Sequence, residues 1–412
     1  MLTVEDAVAQ ILQVTPSGRT RQVLLQESCG RVLACDLKTP HPSPPFDKSM
    51  MDGFAVKSSG FHGAELRTLP ILETVTAGQI PAQRVTADSA VRIMTGALIP
   101  EGADCVVPIE RVVFDERRPE SVTISPEQVS AESNVLRTGR IVGTGERLLD
   151  SGTFLQAQHI AVLAEFGIDR VTVAAQPTVA VLATGDELVA CDQPLQPGRI
   201  RNSNEPMLVC QVQNAGAIAV PLGIAADRRE VLAPAIQQGL QHDMLLLSGG
   251  VSAGTLDLVP SELQAAGVEE IFHGIRMKPG KPLWFGRRVA DSGTCLVFGL
   301  PGNPVSSMIC FEVFVRPALR RMCGISPAES VSIPATLTAD VLIRGDRLTY
   351  YPCRLELTSQ GLQATPVDWT GSADLRSTAQ ANGMCILEPR LAPWPAGSVV
   401  SAIAWSPQGQ LI

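Results

Sequence analysis

The sequence predicts a multidomain α/β chain, and three observations carry that expectation. At 412 residues the chain is longer than a single hydrophobic core supports. Between residues 177 and 325, apolar strand-like runs alternate with helical stretches, the pattern of a parallel sheet covered by helices. On either side, over about 46–139 and over 326–412, short β runs broken by Gly and Pro replace any helical period.

In chain order, "MLTVEDAVAQILQV" has apolar residues at helical spacing and Thr3 with Asp6 as a capping pair, so it predicts a helix and no signal peptide. A second helical stretch and an extended segment ending in "TPHPSPPFD" complete residues 1–45. The runs "GFAV", "PILETV", "AVRIM", "CVVPIERVVF" and "SVTI" then predict a β subdomain inserted into a first region of residues 1–176. In the 177–325 domain, "TVAVLAT" reads as a strand buried on both faces. Helix 204–214, strand "AIAVPLG", a helix after Asp227 containing Pro234, strand "DMLLLS" and a helix after Thr255 follow. The strand-like "VEEIFHGIRM", strand "TCLVFGL" and a long helix from Asn303 end the domain. Residues 326–412, with "RLTYYPCRLEL" and "MCILEP", predict a small all-β domain.

Composition narrows the function. Apolar residues make up 45% and aromatics only 4%, so aliphatic side chains must fill the cores. A net charge of −8 without basic runs argues against a nucleic-acid surface, so any anion site is local. The apolar runs are far shorter than the ~20 residues of a membrane span. Ten scattered cysteines show neither zinc spacing nor a disulfide framework, and read as reduced, mostly buried thiols of a cytoplasmic protein. The five histidines, His159 and His273 among them, have no catalytic or metal-ligand spacing.

The chemistry gathers where the strands of a parallel sheet end, because ligands bind outside their carboxyl edge. Three loops follow strands there: "TGDEL" (184–188), "SGGVSAGTLD" (248–257) and "LPGNP" (300–304). All are small and glycine-rich, able to bring backbone N–H groups to an anion. Asp186, Glu187 and Asp257 add carboxylates, which suit a hard cation such as Mg²⁺ bridging to phosphate oxygens. "MKPGKP" (277–282) places Lys278 and Lys281 around a turn stiffened by proline. Asp52 precedes Gly53 before a strand, and Thr95 precedes Gly96 after one.

Six stretches in order, "PPFDKSMMDGFAV", "RIMTGALIPEGADCVV", "LATGDELV", "SGGVSAGTLDLVP", "MKPGKPLWFG" and "GLPGNPVSSMICFEVFVRPAL", resemble the molybdopterin molybdenumtransferase family. The gephyrin E domain is similar too, and "GSADLRSTAQANG" (371–383) extends the likeness toward the C-terminus. The resemblance implies an elongated N-terminal region with its inserted β subdomain, a three-layer α/β molybdopterin-binding domain and a β-barrel-like C-terminal domain. It implies insertion of molybdate into adenylylated molybdopterin, with Mg²⁺-dependent release of AMP, by a homodimer whose sites draw on both subunits. Contacts with a molybdopterin adenylyltransferase and with molybdoenzyme chaperones come with it.

Carried over by residue, Lys278, Lys281, Pro282, Arg354 and Ser372 bind molybdate, and Asp186, Glu187 and Asp257 serve the Mg²⁺ and phosphate end. Gly185, Ser248, Gly249, Gly250, Ser252, Pro301, Gly302 and Asn303 contact substrate. Asp52, a fourth candidate catalytic acid, and Thr95 face a partner's pocket. One stretch departs from the family. Where N-[IV]-R-x-x-G-E-D is usual, this chain has "NVLRTGRIV" (134–142), with Arg140 and Ile141 in place of two acids and Leu136 in place of an Arg. Two other readings stay open. A molybdopterin adenylyltransferase uses the same α/β domain but leaves the Asp52, Thr95 and C-terminal stretches without a role. A non-catalytic scaffold gives no reason for Asp186, Glu187 and Asp257.

Overall fold

The computed structural model describes residues 1–63, 65–251, 258–291 and 293–405, and the chain divides into two compact units. The first unit holds residues 1–35, 152–161 and 169–412; the second holds 36–151 and 162–168.

The first unit opens with helix α1 (Val4–Val14), capped by Thr3, whose hydroxyl accepts the N–H of Asp6 at 3.1 Å. The expected second helix is absent. Strand β1 (Thr20–Leu24) and a single 3-10 turn occupy its place, because β1 pairs with a distant strand, β7 below. That long-range pairing overrides local propensity.

In the second unit, β2 (Gly53–Val56), β3 (Arg67–Val75), β4 (Ala90–Ile93), β5 (Cys105–Pro108) and β6 (Ser121–Ile124) form one sheet in the order β5-β2-β4-β3-β6. All four residues of β2 and of β5 are buried. Two apolar clusters, one around Val91 and Ile93 and one around Phe54 and Val107, pack this unit.

The chain re-enters the first unit with β7 (Arg170–Ala174), antiparallel to β1. The α/β domain follows: β8 (Thr178–Thr184), α2 (Asn204–Asn214), β9 (Ile218–Ala225), α3 (Arg229–Gly239) and β10 (Met244–Ser248). Helix α4 (Val259–Ala265), β11 (Glu269–His273), β12 (Met277–Lys278), β13 (Trp284–Ala290) and β14 (Gly293–Leu300) come next. The sheet order is β9-β8-β10-β14-β13-β11. Its first four strands are parallel, as expected of buried apolar runs. The sheet is not parallel throughout, because β13 and β14 form a hairpin and β11 adds a second antiparallel edge. The run 268–277 is likewise not one strand. It breaks at Gly274, with β11 in this sheet and β12 pairing with the C-terminal strands.

The long C-terminal helix of this domain runs as α5 (Pro304–Cys310), a π segment over Phe311–Val315, and α6 (Arg316–Met322). Pro317 has no N–H to give to a carbonyl one turn back, which accounts for the opened ladder before it. Strands β15 (Ile333–Leu337), β16 (Leu348–Thr358), β17 (Gly361–Pro366), β18 (Gly383–Leu387) and β19 (Val399–Ala404) close on themselves. The order β16-β17-β15-β19-β18 returns to β16, a closed barrel without a free edge. Cysteines are less buried than expected, since Cys29, Cys35, Cys191 and Cys210 are exposed. No helix among the described residues is long and apolar enough to cross a membrane.

Candidate functional site

Strands β8, β10 and β14 end side by side, so the loops after Thr184, Ser248 and Leu300 share one edge. Their glycines serve close packing more than anion donation. A Cβ on Gly249 would stand 2.4 Å from the Thr184 carbonyl oxygen, and one on Gly250 would stand 2.6 Å from Val259 Cγ2. Both glycines have positive φ, which side chains resist. The N–H of Gly249 donates to the Leu300 carbonyl at 3.1 Å and that of Gly185 to Ala225 at 3.3 Å. These two amides, expected as anion donors, are therefore already engaged by the sheet.

Asn204, unremarked in the sequence, ties the edge together. It is buried at the start of α2, and its Nδ2 donates to Ser248 Oγ at 2.6 Å and to the Gly302 carbonyl at 2.7 Å. Its Oδ1 and Thr184 Oγ1 are buried without a partner among the described residues. "RNSNE" offers no signal beyond ordinary helix-start polarity, because the partners lie 44 and 98 residues away. Asn303 Nδ2 donates to Ser372 Oγ at 3.1 Å, and Val305 N–H to the Ser372 carbonyl at 3.1 Å. Ser372 thus joins the loop after Pro301 at the start of α5.

Two of the predicted acids follow β8. Asp186 and Glu187 are exposed, and Asp186 Oδ1 accepts the N–H of Asp227 at 3.2 Å. The Glu187 carboxylate folds against Gly185, 2.5 Å from where a Cβ would stand. Asp257 and Ser252 lie outside the described residues. Among the described residues, no three His, Cys, Asp or Glu side chains gather as a metal site.

The lysine turn is set by packing beneath it. Gly280 has φ +110°, and a Cβ there would meet Cys310 Sγ at 2.5 Å, so only glycine lets the turn lie on α5. Complete burial pushes the Cys310 thiol up and leaves it inert. Lys281 is exposed, Pro282 is half-buried, and Lys278 Nζ donates to the Arg344 carbonyl at 3.2 Å. The turn packs at the far end of α5 from Asn303, about 10 Å along the helix. Lys278 pairs in register with Thr349. Arg354 is exposed five residues further along β16, about 16 Å from that register point. Among the arginines nearer the turn is Arg347, whose Nη1 donates to the Met277 carbonyl at 3.0 Å. Only the β12–β16 pairing reveals it.

In the second unit, Asp52 and Thr95 meet. Asp52 Oδ1 accepts from Thr95 Oγ1 at 2.6 Å and from its N–H at 2.7 Å. The Thr95 hydroxyl and amide, with Arg92 nearby, hold the Asp52 carboxyl below the usual carboxylate range. In the divergent loop, Arg137 is paired with both Asp47 and Glu132, and Thr138 donates to Asp47 from N–H at 2.8 Å and from Oγ1 at 2.9 Å. Arg140 and Ile141 are exposed.

With that geometry in place, comparison with known proteins is direct. Residues 2–167 match the MoeA N-terminal region (domain I and II), 180–321 a "probable molybdopterin binding domain", and 334–405 the MoeA C-terminal region (domain IV). The molybdopterin molybdenumtransferase of Bacillus subtilis (strain 168) is 33% identical over 407 residues, 98% of this chain and 94% of the relative. That of Staphylococcus aureus (strain Mu50) is 33% identical over 409 residues, 98% of this chain and 95% of the relative. A crystal structure of the molybdopterin biosynthesis MoeA protein from Pyrococcus horikosii superposes with a TM-score of 0.84 at 28% identity, covering 98% of this chain and 99% of that one. The chain belongs to the molybdopterin molybdenumtransferase family.

Proposed function

We propose that this enzyme of molybdenum cofactor biosynthesis inserts molybdate into adenylylated molybdopterin and releases AMP. The carrying observation is that the loops at Asp186–Glu187, Ser248–Gly250 and Gly302–Asn303 leave neighbouring strands at one sheet edge, that Asn204 joins the last two and Ser372 joins the third, and that the lysine turn lies at the other end of α5. That spacing suits a long substrate with its phosphates at the edge and its reactive end near the lysines. Asn204 fixes the distance between two of the loops and so orients the substrate.

Lys278 and Lys281 supply two positive charges to a tetrahedral dianion, which accepts point charges from any direction and needs no guanidinium fork. In the reaction the phosphoanhydride is hydrolysed, AMP leaves, and the dithiolene sulfurs take the metal. The hard oxygen donors of Asp186 and Glu187 are exposed and follow Thr184, whose hydroxyl is buried with no partner among the described residues; they would suit Mg²⁺, with Asp257 as the proposed third ligand. Bound there, Mg²⁺ would neutralise the phosphate oxygens as the anhydride breaks. Asp52 and Thr95 would serve the pocket of a second copy in a homodimer. Purified protein should release AMP from adenylylated molybdopterin only when molybdate and Mg²⁺ are both supplied. Absence of AMP under those conditions would overturn the reading.

A further inference from the structure

The first unit holds a cavity of about 570 Å³ at a place the proposed reaction does not use. It lies where β7 gives way to β8 and where the last turns of α2 and α6 end. Helix α2 separates it from the sheet edge just described: Asn204 stands at one end and Asn214 lines the cavity at the other, about 15 Å away.

The lining is unlike the rest of an acidic chain. It contains Arg31 and Arg320 and no carboxylate, with Gln156, Gln213 and Asn214 as polar neighbours and Phe154 on an apolar side. Neither guanidinium stands in an ion pair among the described residues. Arg320 Nη2 donates to the Pro327 carbonyl at 2.9 Å, while its Nε is buried without a partner among the described residues. Burial, then the charge of Arg316, pushes the Arg320 guanidinium below its ordinary value, against a smaller opposing pull from Glu329, which does not line the cavity. The last turns of α2 and α6 each bring about half a negative charge, so within the lining the two arginines exceed them by roughly one positive charge. The volume falls within the ~300–1,000 Å³ of small-molecule sites.

We propose that this cavity binds a singly charged organic anion, a carboxylate on a small apolar body, with Arg31 and Arg320 holding the charge and Phe154 the body. Benzoate is a suitable probe, with benzamide as its uncharged counterpart. Calorimetry on the full chain should show one benzoate per chain, undisturbed by saturating AMP and molybdate, and benzamide at least about tenfold weaker. Arg320→Met and Arg31→Met should each weaken benzoate about tenfold or more while AMP release stays at the wild-type rate. Should Arg320→Met fail to fold, the half-exposed Arg31 carries the same test. Benzoate binding that does not saturate, that AMP and molybdate displace, or that survives at full strength in the folded variants would overturn the proposal.

Discussion

At the scale of the residue, the Asp52–Thr95 contact is the simplest test of how the two N-terminal motifs cooperate. Two hydrogen bonds from Thr95 favour the ionised carboxyl and lower its pKa from the usual 3.8. A depressed carboxylate pKa means the contact is fully present above the unfolded-state value and is lost as pH falls through the folded one. Thr95→Val should therefore raise the Asp52 pKa toward 3.8, read by carboxyl NMR titration; an unchanged midpoint would show that the contact does not hold in solution. Asp186 offers a second test. Asn at that position keeps an oxygen for the Asp227 N–H and so preserves the loop, but removes the anionic donor a cation needs. Asp186→Asn should fold like the wild type and lose roughly 10²-fold or more of AMP release. Full activity would remove Asp186 from the site.

Among the elements, the broken helix from Pro304 to Met322 supports both ends of the site, and a buried ion pair holds it. Glu312 accepts from Arg316 Nε at 2.5 Å and Nη2 at 2.8 Å, and from Gln211 Nε2 of α2 at 2.8 Å. Both charged residues are buried. Arg316→Met leaves the carboxylate buried without its counter-ion and should destabilise the first unit by about 3–5 kcal/mol, whereas Arg316→Met with Glu312→Gln should cost much less. Urea unfolding of the three proteins checks the order, and equal losses would refute the pairing argument. Elements of this kind show where sequence reading stops. The strand "TVAVLAT" and the N-capped first helix are legible because their patterns are local. The strand character of Thr20–Leu24 and the split of 268–277 are not, since each depends on a partner far along the chain. Asn204 and Arg347 escape notice for the same reason, whereas Ser372 is legible only through its motif.

Across the whole molecule, the proposed homodimer predicts complementation between damaged copies. An Asp52→Ala chain and a Lys281→Ala chain, each inactive alone, should regain partial AMP release after subunit exchange, because one of the two shared sites is then intact. No recovery after exchange confirmed by native mass spectrometry would count against sharing. The central claim is that the lysine turn holds molybdate while the sheet edge holds the pterin nucleotide. On that claim each lysine should contribute roughly 1.5–3 kcal/mol to an oxyanion as a charge-assisted contact. Losing one then weakens molybdate about 10- to 150-fold. The direct measurement is a molybdate titration of AMP release in Lys281→Ala beside the wild type, at saturating pterin nucleotide. The account predicts a half-saturation point raised by that factor with little change in the nucleotide requirement. An unshifted molybdate half-saturation point would contradict it.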